Sequence, residues 1–295
     1  QCYSSLGDIY NQLEKDLLFA ISVLPEKTEY SVAELGRATK GAARALLAKI
    51  YLYQQKNQEC YDMCKAIIES NQYSLEPDYA DLWRRGNVEN RNEHGVESIF
   101  EFALASNPEQ SNGAYWAVAM QPRQAMFGTS LGWGLINPTF DLLDEFEVGD
   151  PRIVSTFLFN GDSMLTVEGD AKFEVEANSY ACNEHQMYNQ KVIRKLIYNE
   201  EYGENNGENL IILRYADLLL MYAEAANEIG ISSEAINKLN MVRARARNSI
   251  RSDYRREYIN FNGTVVYNGT TTRQYLSYDW ESVDVSTILP DVSTT

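Results

Sequence analysis

The sequence has few of the residues that common catalytic and metal centres require. Its 295 residues include only four cysteines and two histidines, His94 and His185. Tetrahedral metal sites use closely spaced cysteine or histidine ligands, a pattern that these residues do not form. Neither histidine lies in a recognisable nucleophile motif, and the sequence has no phosphate-binding glycine loop. We therefore assign no metal ligand, no cofactor and no catalytic residue.

Positive charge is scarce as well. Lysine and arginine number 26 against 42 aspartate and glutamate residues, which gives a net charge of −16. This surplus of negative charge repels phosphate backbones and anionic lipid surfaces, so the composition disfavours nucleic-acid binding and direct membrane binding. Neutral ligands such as sugars meet no such repulsion. The acidic composition is compatible with calcium, but the sequence contains no EF-hand loop.

Long apolar runs are missing too. The most apolar stretch, residues 210–226, is interrupted by Arg214 and Asp217, so no segment resembles a membrane-spanning helix. The chain has no signal peptide and does not begin with methionine, and we expect a processed or excised part of a longer protein. Cys60 and Cys64 lie four residues apart in a predicted helix, where disulfide geometry is poor. We predict unpaired structural thiols there.

Helical periodicity is the strongest positive signal. It predicts an amphipathic helix over residues 3–24 and two helix pairs, 38–55 with 58–70 and 209–228 with 232–247. Small residues line the first helix of each pair, which lets neighbouring helices approach closely, as in tetratricopeptide repeats. The sequence therefore predicts a scaffold of stacked helix pairs.

Individual residues within these helices have predicted roles. Thr39 is a suitable N-cap for the helix over 38–55, and Gly230 is a suitable residue to end the helix over 209–228. Polar residues in the apolar helix over 209–228 are predicted to form interhelical pairs: Arg214, Asp217 and Glu224. Tyrosines at helical spacing are predicted to fill the interhelical core: Tyr51, Tyr53, Tyr215 and Tyr222.

A long region of different character separates the two helix pairs. Turn residues recur through it, and only short stretches are periodic, a strand-like one at 97–103 and a helical one at 139–147. A segment of this length is not structureless in a compact domain, so we predict an inserted, loop-rich subdomain. The predicted fold is mainly α, with tetratricopeptide-like helix pairs and a partly β insertion. Its regions are the first scaffold part (1–73), the inserted ligand-binding subdomain (74–208), the second scaffold part (209–247) and an irregular C-terminal region (248–295) with a hairpin around 264–267.

Three segments, taken in order, resemble the SusD/RagB family of outer-membrane nutrient-binding lipoproteins. They are residues 38–53, residues 138–152 with their Gly-Asp-Pro-Arg ending, and residues 213–225 followed by Asn240-x-Val-Arg-x-Arg-Ala. The resemblance covers roughly residues 1–247. Family members are longer and carry a signal peptide, a lipid-bearing cysteine and further helices at both ends. The resemblance therefore implies a central part of such a protein, in which Cys2 is not the lipid anchor.

The resemblance also implies a function and a location. Proteins of this family lie on the outer face of the outer membrane in Bacteroidota, held by a lipid anchor that this chain does not include. They act as a lid over a TonB-dependent transporter of the SusC type, bind glycans or in some cases peptides, and have no known catalytic activity. Their helical scaffold faces the transporter, and loops on the other side hold the ligand.

Candidate ligand-binding residues lie in two polar stretches of the insertion. Sugar rings stack on flat aromatic faces, and sugar hydroxyls bond planar polar side chains. The loop 106–134 and the stretch around residue 185 supply both types. We predict that these residues bind the glycan: Tyr115, Trp116, Gln121, Arg123, Tyr180 and Tyr188. For Trp116, the alternative is a structural role, packed beneath its loop.

Two other functions remain open at this point. The first is a helical-repeat scaffold that binds a peptide or protein. The second is a glycoside hydrolase, which needs two carboxyl groups in different environments. The densest acidic cluster comprises Asp144, Glu145, Glu147 and Asp150, but Asp150 is predicted to cap the turn or to pair with Arg152.

Overall fold

The structure, a computed structural model, describes twelve stretches of the chain. They are residues 4–83, 93–104, 119–120, 133–147, 150–159, 163–165, 172–174, 187–189, 209–249, 264–267, 271–274 and 289–293. In chain order the described helices and strands are α1 (Leu6–Val23), α2 (Lys40–Tyr53), α3 (Asn57–Glu69), β1 (Ser98–Phe102), α4 (Phe140–Asp144), α5 (Ile153–Thr156), β2 (Phe157–Phe159), β3 (Ser163–Leu165), β4 (Lys172–Glu174), β5 (Met187–Asn189), β6 (Leu210–Arg214), α6 (Tyr215–Glu228), α7 (Ser232–Asn248), β7 (Thr264–Tyr267) and β8 (Thr271–Gln274).

Two helix pairs form the scaffold, as the periodicity predicts. Helix α2 packs against α1 and α3, α3 packs against α6, and α6 packs against α7. The core between them is built from small and branched residues, with Ala45, Ala48, Leu218 and Leu219 completely buried. Because alanine allows close approach of helix axes, the leucines of α6 pack directly against the neighbouring helices. No helix among the described residues combines the length and apolar character needed to cross a bilayer.

The ends of the scaffold helices follow the predicted capping pattern. Thr39 caps α2, because its side-chain oxygen accepts a hydrogen bond of 3.0 Å from the amide of Ala42. Gly230 follows the last residues of α6 with φ of +83°, a conformation that glycine adopts without steric cost. Helix α7 begins at Ser232, with Glu234 in its first turn.

The prediction of a helix from residue 209 onward was wrong at its start. Residues Leu210–Arg214 form strand β6, and the helix begins only at Tyr215. Strand β6 pairs antiparallel with β1, with Phe102 opposite Leu210 and Ser98 opposite Arg214. The β-branched Ile211 and Ile212 suit a strand, and pairing with β1 satisfies their backbone groups. Four small two-stranded sheets are described in all, each of them antiparallel: β1–β6, β2–β5, β3–β4 and β7–β8, the last confirming the hairpin around 264–267.

Three of the four predicted core tyrosines are buried. Tyr222 stacks on Tyr61 of α3 with ring centroids 4.7 Å apart, and both hydroxyls donate hydrogen bonds to Glu234 of α7. This cluster joins α3, α6 and α7. Tyr53 was predicted wrongly, because 67% of it is exposed. It lies two turns after Leu46, which is also exposed, on a stripe of α2 that the neighbouring helices leave uncovered.

The two helical cysteines are free and buried, as predicted. A hydrogen bond with Cys60, together with burial, raises the pKa of the Cys64 thiol well above its ordinary value. A buried thiol that resists ionisation is a poor nucleophile and a poor metal ligand. Cys60 and Cys64 therefore contribute to packing between the helices.

One buried carboxylate connects the sheet to the scaffold. Glu97, just before β1, is 1% exposed and accepts hydrogen bonds from Arg214 and Arg245 at 2.6 Å each. It also accepts the amide of Glu76 at 2.8 Å, and its own carbonyl accepts the amide of Tyr215 at 2.9 Å. Arg214 therefore pairs with the start of a strand, and not with another helix as predicted. Of the other two residues predicted to form interhelical pairs, Asp217 pairs with Lys49 of α2 as predicted, and Glu224 is exposed.

Candidate ligand-binding site

The described residues around the predicted ligand loop form a well-connected frame. The amide of Leu135 donates a hydrogen bond of 2.8 Å to the carbonyl of Ala119. This bond joins the chain on either side of residues 121–132. Gly134 has φ of +59°, and its carbonyl accepts a hydrogen bond of 2.9 Å from the Asn137 side chain. Trp133, which directly precedes this turn, is half-buried.

Helix α4 and the turn after it fix the next part of the frame. Thr139 caps α4 by accepting the amide of Leu142 at 3.3 Å. Asp150 is 1% exposed, and its carboxylate accepts hydrogen bonds from Nε of Arg152 at 2.9 Å and from its Nη2 at 2.5 Å. It also accepts the backbone amide of Arg152 at 2.9 Å. The predicted pairing of Asp150 with Arg152 is confirmed.

The turn at Asp150–Arg152 packs against a pair of aromatic side chains at the start of β2. The Arg152 guanidinium lies 5.7 Å from the ring centroid of Phe146, and that ring meets Phe157 edge to face at 5.3 Å. Phe157 is the first residue of β2, and its side chain is buried, with 1% exposure. Strand β5 pairs with β2 and places the Cα of Tyr188 opposite that of Leu158. The frame therefore fixes the backbone position of one predicted ligand residue.

The remaining predicted ligand residues lie outside the described residues. This holds for Tyr115, Trp116, Gln121, Arg123 and Tyr180. Their assignment to a glycan site stays a prediction from the sequence. Of the predicted loop 106–134, the structure describes residues 119–120 and 133–134, and it describes the strand that carries Tyr188.

Two carboxylates of the acidic cluster, Glu147 and Asp150, are paired with arginines. Glu147 forms a two-bonded ion pair with Arg243 of α7, at 2.7 and 3.2 Å, and the hydrogen bond from Arg243 lowers the pKa of Glu147. A general acid needs a raised pKa so that it stays protonated at neutral pH. Asp150 is already paired with Arg152. Both carboxylates therefore serve as partners of arginines.

A second polar cluster was not predicted from the sequence. Glu101 of β1 accepts hydrogen bonds from Ser98 at 2.7 Å and from Asn209 at 2.9 Å, and it pairs with Nδ1 of His94 at 2.9 Å. Burial alone would raise the pKa of Glu101, but the hydrogen bonds from His94, Ser98 and Asn209 outweigh it and lower the pKa to about 2. The sequence gives no signal for this cluster. Asn209 is 108 positions away from Glu101, and residues 94–101 contain no recognisable motif.

Three members of this cluster, His94, Ser98 and Glu101, line a small cavity that also touches Lys27 and Gly36. The cavity has room for about 20 Å³, which is the space of one water molecule. The Lys27 ammonium donates hydrogen bonds to the carbonyls of Gly95 and Ser98 at 2.6 and 3.0 Å. The polar groups that line this small space bond to one another, and these bonds hold Lys27 against residues 94–101. Among the described residues, no group of three or more His, Cys, Asp or Glu side chains is arranged to hold a metal ion.

Comparison with known proteins identifies relatives of this architecture. The SusD-like protein P25 of Formosa agariphila is 28% identical over 261 residues, which are 82% of this chain and 47% of that protein. A SusD-like protein from Bacteroides fragilis of known crystal structure superposes with a TM-score of 0.70 at 22% identity, covering 94% of this chain and 67% of that one. The structure of a laminarin-binding SusD-like protein gives a TM-score of 0.62 at 27% identity, covering 82% and 54%. These neighbours share the mainly helical fold predicted from the sequence.

The matches cover most of this chain but a smaller part of each relative. The chain spans about half of the length of the curated relatives it matches, 47% for each of two proteins from Formosa agariphila. The model of the SusD family matches residues 96–276, which include β1, the frame around α4, the two helices α6 and α7, and the hairpin. The chain therefore belongs to the SusD family.

Proposed function

We propose that this protein is a non-catalytic glycan-binding component of the bacterial cell surface. It captures oligosaccharides or polysaccharides and delivers them to a TonB-dependent transporter of the SusC type. The proposed location is the outer face of the outer membrane, with a lipid anchor in the full-length protein. The observation that carries this proposal is the likeness to a laminarin-binding member of the same family at 27% identity.

The chemistry of the described residues supports binding without catalysis. In the acidic cluster, Glu147 pairs with Arg243 and has a lowered pKa, whereas retaining and inverting glycosidases need a protonated carboxylic acid. The strongly negative net charge also favours a neutral ligand over an anionic one. A glycan bound through aromatic stacking and hydrogen bonds fits both observations.

The glycan proposal is tested by removing the indole of Trp116. We expect the Trp116→Ala variant to bind its glycan at least about tenfold more weakly, because a stacked aromatic anchor carries a large share of binding energy. Isothermal titration calorimetry with a panel of oligosaccharides and polysaccharides, beginning with laminarin, measures this affinity. The full-length protein is titrated beside this chain.

The matched control is another aromatic residue that lies on the scaffold. Tyr53 is 67% exposed at the end of α2, so Tyr53→Ala removes an aromatic ring without disturbing the core. Glycan affinity is expected to be unchanged in this variant. Folded wild-type protein that binds no glycan in the panel would contradict the proposed function, and release of reducing sugar would contradict its non-catalytic character.

The transporter is the proposed partner of the helical scaffold. Lys49 of α2 pairs with Asp217 of α6 at 3.2 Å, and apolar side chains lie within about one turn of this pair on both helices. Leu46 of α2 and Leu220 of α6 are each 40% exposed, and Tyr53, two turns after Leu46 on α2, is 67% exposed. We refer to Leu46, Tyr53 and Leu220 as the scaffold ridge. Exposed apolar residues around an ion pair are typical of protein-binding surfaces.

Charge substitutions on the scaffold ridge separate the two activities. We expect Leu46→Asp with Leu220→Asp to reduce co-purification of the transporter from solubilised outer membranes at least about tenfold, because a charge opposes burial of this surface. Glycan affinity is expected to stay at the wild-type level. Trp116→Ala is expected to give the opposite pattern, with the transporter retained and the glycan lost. Transporter capture that is equal in all variants would contradict the assignment of the scaffold ridge.

A further inference from the structure

The outward side of α7 binds the main chain of a distant segment. The side chain of Asn240 donates to the carbonyl of Val292 at 2.9 Å and accepts the amide of Val292 at 2.8 Å. Arg243 donates from Nε to the carbonyl of Pro290 at 2.9 Å, and Arg247 donates to the carbonyl of Leu289. We call Asn240, Arg243 and Arg247 the clamp, and residues 289–293 the strap.

The clamp residues share one face of α7 because they are three and four positions apart. The residues that face the core alternate with them: Val242, Arg245 and Ala246 are all buried. The motif Asn240-x-Val-Arg-x-Arg-Ala therefore has two sides. Its second arginine, Arg245, bonds to Glu97 inside the protein, while its asparagine and its first arginine hold the strap outside.

The clamp binds the strap mainly through the backbone atoms of the strap. Four of the five hydrogen bonds between the clamp and the strap reach main-chain atoms of the strap, and the primary amide of Asn240 pairs with one residue as a peptide group does in a sheet. Side-chain preference enters at two positions. Leu289 is 2% exposed, and Asp291 pairs with Arg247 at 2.7 Å.

One residue of the strap has a backbone conformation that its side chain disfavours. Leu289 has φ of +48°, in the left-handed region that large side chains rarely adopt. Arg243 also donates two hydrogen bonds to the carboxylate of Glu147, so a second partner besides the strap holds its guanidinium.

We propose that α7 carries a binding site for a peptide of the type Leu-Pro-acidic-aliphatic, and that residues 289–292 of the same chain occupy it. The ligand is held through its carbonyl and amide groups, with a buried leucine as anchor and a carboxylate on Arg247. This site is distinct from the proposed glycan loop and does not rest on the proposed function. The same peptide sequence supplied on a separate molecule binds wherever the strap has been displaced.

The test uses the whole chain with a released strap. Leu289→Asp with Asp291→Lys removes the anchor and reverses the charge, which leaves α7 intact and vacant. A fluorescein-labelled peptide of residues 288–293 is titrated and its anisotropy is measured. We expect saturable binding to the released variant, and at least about tenfold weaker binding to the wild type, where the strap competes.

Two asparagine substitutions in the released variant supply the matched comparison. Asn240→Ala removes two hydrogen bonds to the peptide and is expected to weaken binding about tenfold or more. Asn237→Ala, one turn earlier and exposed, is expected to have no effect. No peptide binding to a released variant with a wild-type circular dichroism spectrum and melting temperature would overturn the proposal.

Hydrogen exchange gives a second readout that needs no added peptide. In the wild type, the Val292 amide is bonded to Asn240, and Asn240→Ala is expected to speed its exchange about tenfold or more. The amides of Val242 and Ala246 within α7 are expected to exchange at unchanged rates. Equal exchange of the Val292 amide in both proteins would overturn the assignment of the clamp.

Discussion

Replacing Glu97 with glutamine is expected to lower the free energy of unfolding by about 3–5 kcal/mol, the cost of breaking a buried ion pair from one side. Arg245 has a side chain that is only 5% exposed, and Arg214 shares the same carboxylate. A neutral amide removes the negative charge that both guanidinium groups share, and it directs its NH2 group toward one of these two donors. Urea unfolding followed by circular dichroism measures the change as a lower midpoint with a similar slope.

The same substitution at a surface ion pair is the control for Glu97. Glu147 also pairs with an arginine, Arg243, but 48% of the Glu147 side chain is exposed. We expect Glu147→Gln to cost less than about 1 kcal/mol, since exposed ion pairs contribute little. An unfolding midpoint of Glu97→Gln equal to that of Glu147→Gln would show that the buried carboxylate does not organise the sheet and the scaffold.

Glu101 is expected to make stability depend on pH below about 4.5. Its pKa of about 2 in the folded protein lies below the ordinary value of 4.5, so the folded state favours the charged form. This difference corresponds to about 3 kcal/mol, which is fully present above pH 4.5 and is lost as the pH falls toward 2. Glu101→Gln is therefore expected to cost about 3 kcal/mol at pH 7 and less than about half of that at pH 3.

Comparison of variants separates the effect of Glu101 on stability from that of the other carboxylates that titrate in acid. Urea unfolding is measured from pH 7 to pH 3 for the wild type, for Glu101→Gln and for Glu228→Gln, which alters an exposed residue of α6. The Glu228 variant is expected to stay within about 0.5 kcal/mol of the wild type throughout. A cost of Glu101→Gln that is the same at pH 7 and pH 3 would contradict the role of its charge.

The sequence by itself determined the scaffold and the family. The apolar spacing in α2, α3, α6 and α7 predicts the helix pairs, because one face of each helix must be buried whatever the neighbours are. Caps such as Thr39 act within a single turn, so they are predictable too. The motifs that indicate the SusD family lie mostly on these same local elements.

Some sequence predictions failed where partners decided the outcome. Residues 210–214 are apolar enough for a helix, but pairing with β1 makes them a strand. Tyr53 fits the helical spacing of a core residue, but no helix among the described residues covers its stripe of α2. In both cases the local pattern permits two structures, and only the presence or absence of a neighbour selects one.

The tertiary structure alone decided which charged residues work together. Glu97 is hydrogen-bonded to Arg245, which is 148 positions away in the sequence, and Asn240 is hydrogen-bonded to Val292, which is 52 positions away. Glu101 is hydrogen-bonded to Asn209, which is 108 positions away. Each residue looks like an ordinary polar residue in the sequence, because hydrogen bonds of this kind depend on distance in space and leave no periodic or local signature. The two sides of the Asn240-x-Val-Arg-x-Arg-Ala motif, one toward Glu97 and one toward the strap, follow from where α7 packs.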